Sequence, residues 1–268
     1  MKLFELFINE TAEEDRAIIS LADAVYKYLQ RYADDDDTDD EPDYYGDEDD
    51  DLYDVPKDDK VTTVGRIGDL FNTPLLAAEH VTLELQSSYG ISERLRKEST
   101  DDVAKGPRGE VLGLWYGENS TLVLNRDYLV SNTIKSTIAH ELRHAVDDFK
   151  SNKQANKAGG RYSIPKNKSY RNVTNDPHLG NLSYLAQPAE INARFVQVLH
   201  AMVPVIGRAA KLEPQQADQL INQTLKKAMA SYRIADLFPE KEKSKDYKRL
   251  MKRAVDFIEK EKSHTKKP

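Results

Sequence analysis

The sequence predicts an α+β fold, and three features carry that prediction. Segments at 11–32, 131–150, 187–207, 214–232 and 241–262 repeat apolar residues at three- and four-residue spacing, the period of a helix with one buried face. Short apolar runs at 81–85, 110–116 and 121–124 have the length and texture of strands. The last two runs are joined by Gly117-Glu118-Asn119-Ser120, a hairpin signal, so the sheet is expected to be mostly antiparallel.

Composition narrows the class. A chain of 268 residues, 39% hydrophobic and 32% charged, can bury a sizeable core beneath a polar surface. It has no cysteine, which excludes disulfides, thiolate metal sites and a cysteine nucleophile, so any metal must be held by His and carboxylate. No apolar run approaches the ~20 residues of a membrane helix. The opening Leu3-Phe4-Glu5-Leu6-Phe7-Ile8 is cut by Glu5 and followed by Asn9-Glu10, unlike a signal peptide. A cytoplasmic protein of the producing or host cell is expected. The net charge of −7 conceals an asymmetry: residues 34–54 hold 14 of the 46 acidic residues and no Lys or Arg. The remainder sets 39 bases against 32 acids, a mildly basic body with one acidic strap.

In chain order, 3–32 reads as a helix with Ile18, Leu21, Ala22, Val25, Tyr26 and Leu29 on one face, opened by a Thr11/Glu14 capping box. An ordinary packing helix is the preferred reading, and a docking segment for a partner protein is the alternative. Residues 34–59 are expected to be disordered, because like charges repel and there is little to bury. A linker is the plainest role; a cover over a basic cleft and a decoy for nucleic-acid-binding surfaces are the others. Residues 61–70 suit a short strand and turn with Gly65 and Gly68, Thr73-Pro74 opens a short helix, and 81–85 alternates as a strand does. A polar loop spans 99–109, and the hairpin of 110–124 leads into the helix at 131–150. A long polar loop at 152–183 contains Arg161, Tyr162 and His178, with Tyr184 just beyond it. Pro188 then sits in the first turn of a helix whose buried stripe is Ile191, Phe195, Val198, Leu199 and Met202, bent or ended by Pro204 and Gly207. Two amphipathic helices follow, the last rich in Lys. Solvated helix faces are the default reading of those lysines, so neither nucleic acid nor membrane is the expected partner.

The chemistry concentrates at 131–150, SNTIKSTIAHELRHAVDDFK. Residues four apart on a helix project from one face, so His140 and His144 stand side by side. Two imidazoles so arranged can hold one Zn²⁺, each nitrogen roughly 2.0–2.1 Å from it. Glu141, about 100° around the helix, can reach a metal-bound water and act as general base. With 6 His in the chain, this five-residue pattern arises by chance only about once in a hundred such chains. Ser131 and Asn132 cap the helix, and Ile134, Ile138, Leu142, Ala145 and Val146 form the stripe that would bury its other face. Catalytic zinc takes a third protein ligand. Asp147, Asp148, His178, Glu190 and His200 are the candidates, and Glu190 is the choice, on the first turn of a second core helix. Asp147 or Asp148 could instead hydrogen-bond a ligating imidazole. Arg194, one turn beyond Glu190, could pair with that carboxylate or with Asp148 and fix its orientation.

At these residues the chain resembles the zincin metallopeptidases, and within them the gluzincins, whose third ligand is a Glu on a later helix. HELRHAVDDF (residues 140–149) is similar to the active-site helix of thermolysin-type enzymes. YLAQPAEINARF (residues 184–195) is similar to a Pro-x-Glu-x-x-Ala-Arg element of small zincin-like proteins of bacteria and phages. The thermolysin type follows its ligating Glu one turn later with Asp, where this chain has Arg194. The resemblance implies His140, His144 and Glu190 as zinc ligands and Glu141 as base. It implies a zincin-like sheet beside two core helices at 61–208. A helical segment at 1–33 and an acidic linker at 34–60 would precede it, and a helical extension at 209–268 would follow. The expected activity is zinc-dependent peptide hydrolysis, with His178, Tyr184 or Tyr162 donating to the carbonyl oxygen. The strand at 121–124 is expected to pair with an extended substrate as an edge strand. The alternative is a catalytically idle binding or structural module, for example a phage virion or assembly protein, with the helix at 1–33 or the acidic strap as its contact. A DNA-mimicking inhibitor acting through the acidic run is a third reading.

Overall fold

The structure, a computed structural model, describes residues 11–33, 60–98, 111–117, 119–150, 188–238 and 244–265. Among them the chain is α+β, with eight α-helices and one four-stranded mixed sheet. The expected segment at 34–59 and the loop at 152–183 lie outside the described residues.

Helix α1 (Ala12–Ala33) starts at Thr11, whose Oγ1 accepts from the N–H of Glu14 at 3.2 Å. The Glu14 carboxylate turns away to Lys150 at 2.7 Å and Arg143 at 3.4 Å. Ile18, Leu21, Ala22, Val25 and Leu29 are all buried, so the apolar face of α1 packs into the core.

Strand β1 (Thr62–Arg66) pairs antiparallel with β2 (Thr82–Gln86), with a bulge between Thr63 and Gly65. Gly65 has φ +144°, a conformation that side chains resist. Two single-turn helices, α2 (Ile67–Leu70) and α3 (Leu76–Glu79), join these strands. Helix α4 (Ser88–Glu98) follows β2 and was not expected from the sequence. Its sequence is polar, contains Gly90 and has little apolar periodicity to signal a helix.

Strands β3 (Gly113–Tyr116) and β4 (Thr121–Asn125) form the expected antiparallel hairpin, Trp115 opposite Leu122. Strand β4 lies alongside β2 in parallel, Leu83 beside Leu122 and Leu85 beside Leu124. The order is therefore β1-β2-β4-β3. This corrects the expectation for 121–124. Strand β4 is interior and all five of its residues are buried, so its backbone groups are committed to β2 and β3. The edge is β3.

Helix α5 (Asn132–Lys150) buries Ile134, Ile138, Leu142, Ala145 and Val146. Helix α6 (Pro188–Ala209) packs on it through Ile191, Phe195, Val198, Leu199 and Met202, all buried. α6 runs through Pro204 without ending there. Proline removes one hydrogen bond, whereas buried Val205, Ile206 and Ala209 hold the last turn in the core. Helices α7 (Pro214–Ser231) and α8 (Lys245–Thr265) complete the fold. A single apolar cluster takes residues from α1, the sheet, α5, α6, α7 and α8. No helix among the described residues is long and apolar enough to cross a membrane.

Candidate metal centre

The periodicity that buries one flank of α5 leaves His140 and His144 along the edge that meets α6. Their Nε2 atoms lie 3.1 Å apart, with the rings edge-to-face. Pro188, in the first turn of α6, sets the helix start, and Glu190 follows two residues later. Its Oε2 lies 3.6 Å from His140 Nε2 and 3.5 Å from His144 Nε2. The other oxygen, Oε1, accepts from Arg194 Nε at 2.6 Å, one turn along the same helix. Arg194 Nη1 also donates to the carbonyl of Tyr232 at 3.4 Å, just past α7.

This triangle fits a small tetrahedral cation. Ligand atoms about 2.0–2.2 Å from zinc, at tetrahedral angles, stand about 3.3–3.6 Å from one another. The three observed separations are 3.1, 3.5 and 3.6 Å. Glu190 Oε2 is buried and makes no hydrogen bond among the described residues. A desolvated carboxylate oxygen left in that condition costs free energy unless a cation meets it. One oxygen held by Arg194 and the other facing two imidazoles is the arrangement a monodentate carboxylate ligand requires.

Glu190, His144 and Glu141 shift one another's protonation. Burial alone would raise the Glu190 carboxyl, but His140 and His144 outweigh it and hold it well below the ordinary value. Burial also works against protonation of His144, yet the adjacent Glu190 carboxylate, with Glu141 and Asp147, raises its pKa. Burial pushes Glu141 up, partly offset by both imidazoles and the Trp115 N–H.

The Glu141 carboxylate and the two imidazoles each place a ligating atom within 4.8 Å of the others. Two carboxylates, Glu141 and Glu190, therefore stand within reach of the imidazole pair, and Glu190 Oε2 lies 3.5–3.6 Å from both Nε2 atoms. Strand β3 closes over this corner. A Cβ on Gly113 would lie 2.7 Å from Thr137 Cγ2 and 3.3 Å from Glu141 Cγ, so only glycine lets the strand come so near. Trp115 contributes its backbone N–H to Glu141 and its indole N–H to Asp148 Oδ2 at 2.5 Å.

The structure thus brings together His140, Glu141, His144, Glu190 and Arg194. Asp147 accepts from Arg143, and Asp148 from Trp115. His200 lies ten residues past Glu190, about 15 Å along the helix, where it meets Asp23 at 3.4 Å. His178, Tyr184 and Tyr162 lie outside the described residues. Sequence reasoning missed Trp115. The available signal was a lone Trp on the hairpin that feeds the histidine helix, without the strand order that puts it at the edge. The chain matches no protein-family model, no curated protein and no solved structure.

Proposed function

We propose that this chain is a zinc-dependent peptidase with a zincin-like, gluzincin-type centre, in which His140, His144 and Glu190 hold the metal. The observation that carries the reading is the convergence of three donor atoms, including a buried carboxylate oxygen without a hydrogen bond, at separations of 3.1–3.6 Å. Zinc held there supplies a Lewis acid for the scissile carbonyl and lowers the pKa of a bound water. Glu141 takes the proton of the attacking water and passes it to the departing amine, so that one water and one peptide bond yield a carboxylate and an amine. Arg194 holds Glu190 in its monodentate pose. Strand β3, with no sheet partner on its outer side among the described residues, offers the substrate backbone an edge next to Glu141.

The test uses full-length protein. Wild type is expected to retain one zinc after dialysis, read by elemental analysis. The variants His140→Ala, His144→Ala and Glu190→Ala are expected to lose it. Glu141→Gln is expected to keep the metal and lose about 10²–10⁴-fold in cleavage of a broad peptide library. Full zinc occupancy in all three alanine variants would refute the ligand assignment. One zinc in wild type with no cleavage of any peptide would favour the idle binding module instead.

A further inference from the structure

Behind the metal triangle lies a second buried cluster of charged groups. Arg143, the neighbour of His144, is wholly buried and directs its guanidinium to Asp147, to Glu14 at 3.4 Å and to Asp15 at 4.0 Å. Asp15, also wholly buried, takes a two-pronged hydrogen bond from Arg253 of α8, Nε to Oδ2 at 2.6 Å and Nη2 to Oδ1. Arg253 Nη1 donates in turn to Asn192 Oδ1 at 3.1 Å. Asn192 is buried on α6, two residues beyond Glu190. Four residues on four helices thus link the His144 helix to the Glu190 helix through α1 and α8.

That route matters because the two ligand-bearing helices are remote along the chain, α5 ending at Lys150 and α6 beginning at Pro188. Apolar packing is non-directional and tolerates sliding. A slip of one residue moves a helix by about 1.5 Å, whereas metal–ligand distances tolerate only about 0.2 Å. A desolvated guanidinium–carboxylate fork is short, directional and intolerant of displacement. Its two charges neutralise each other, so it can set register without leaving a charge stranded. We infer that Asp15 and Arg253 are positioning residues of the metal centre, fixing from behind the relative register of α5 and α6 that brings Glu190 to the two imidazoles. This rests on the metal-site reading above, and it makes α1 and α8 parts of the site although neither supplies a ligand.

The test compares full-length wild type with the double variant Asp15→Leu, Arg253→Met and with Arg253→Lys. The double variant removes both charges for apolar side chains of similar size, which buried pairs often tolerate, and leaves Arg143 with Asp147 and Glu14. Arg253→Lys keeps the charge and loses the fork. Zinc affinity is read by competition with a chromophoric chelator, coordination by the visible bands of bound Co²⁺, and folding by urea denaturation. The double variant is expected to unfold cooperatively, to bind zinc about 10–100-fold more weakly and to alter the Co²⁺ bands. Arg253→Lys should fall between it and wild type. Zinc affinity within threefold of wild type and unchanged Co²⁺ bands, in a folded double variant, would overturn the inference, whatever the change in stability. If the double variant does not fold, Arg253→Lys decides alone, and wild-type affinity and bands in it overturn the inference. A wild type that binds no zinc sinks the metal-site reading first, and the inference with it.

Discussion

Helices α5 and α6 carry two buried clusters of charged and polar groups, built to opposite plans. In the cluster behind the site, the Asp15 carboxylate and the Arg253 guanidinium meet at hydrogen-bond distance, and Asn192 accepts the next donor. In the cluster at the site, Glu190 Oε2 and His140 Nδ1 are buried without hydrogen bonds among the described residues, and three donor atoms point at one another across 3.1–3.6 Å. Opposite charges that meet directly, as Asp15 and Arg253 do, make architecture. Ligating atoms gathered this closely in a buried place are what the proposed cation site would use. The comparison separates two uses of buried polarity that composition alone cannot distinguish.

Three substitutions press on this contrast. The largest effect is expected from Arg143→Met, which takes the buried guanidinium away from Asp147, while Asp15 keeps Arg253 and Glu14 keeps Lys150. Breaking a buried pair from one side costs about 3–5 kcal/mol, read as a lowered midpoint in chemical denaturation. A cost under about 1 kcal/mol would mean this cluster behaves as a surface one. Arg194→Met touches the other cluster and should act on binding. Zinc affinity is expected to fall roughly 10–100-fold in a competition titration, with urea stability nearly unchanged because Arg194 is partly exposed. If stability drops and affinity does not, Arg194 belongs to the architecture. The smallest effect is expected at the half-exposed pair of Asp23 and His200, 3.4 Å apart, which sets the baseline for a solvated contact. The hydrogen bond from His200, against burial and aided by Lys135 and Lys27, holds the Asp23 carboxyl below its ordinary value of 3.8. Its stabilisation is therefore complete above that value and is lost as pH falls through the lowered one. Asp23→Asn should cost about 0.5 kcal/mol or less at neutral pH, and the difference from wild type should shrink as pH is lowered from about 5 to 3. A difference that grows on acidification would reverse the assignment.

Much of this was legible in the sequence because it is local. The His140/His144 spacing, the buried stripe of α5, the Thr11 start of α1 and the 113–125 hairpin each depend on residues within a few positions of one another. Glu190 was legible for a different reason: a carboxylate in the first turn of a strongly apolar helix stands out whatever lies opposite it. Arg143 was not. It falls on the buried side of α5 among Ala139, Leu142 and Val146, where periodicity reads only a polar interruption. Its partners Glu14 and Asp15 lie more than 120 residues earlier in the chain.

The sequence alone determined the long amphipathic helices, their buried faces and the pair of imidazoles, though not the polar α4, since a helical period acts through bonds one turn apart. Tertiary structure alone decided which strand is the edge. Strand β4 took the centre by pairing parallel with β2 on one side and antiparallel with β3 on the other, which leaves Gly113 and Trp115 of β3 against Glu141. It also decided that Asp15 and Arg253, near opposite ends of the chain, meet behind Glu190. Side-chain hydrogen bonds reach only about 3 Å, so packing must bring such groups together before their chemistry can be read.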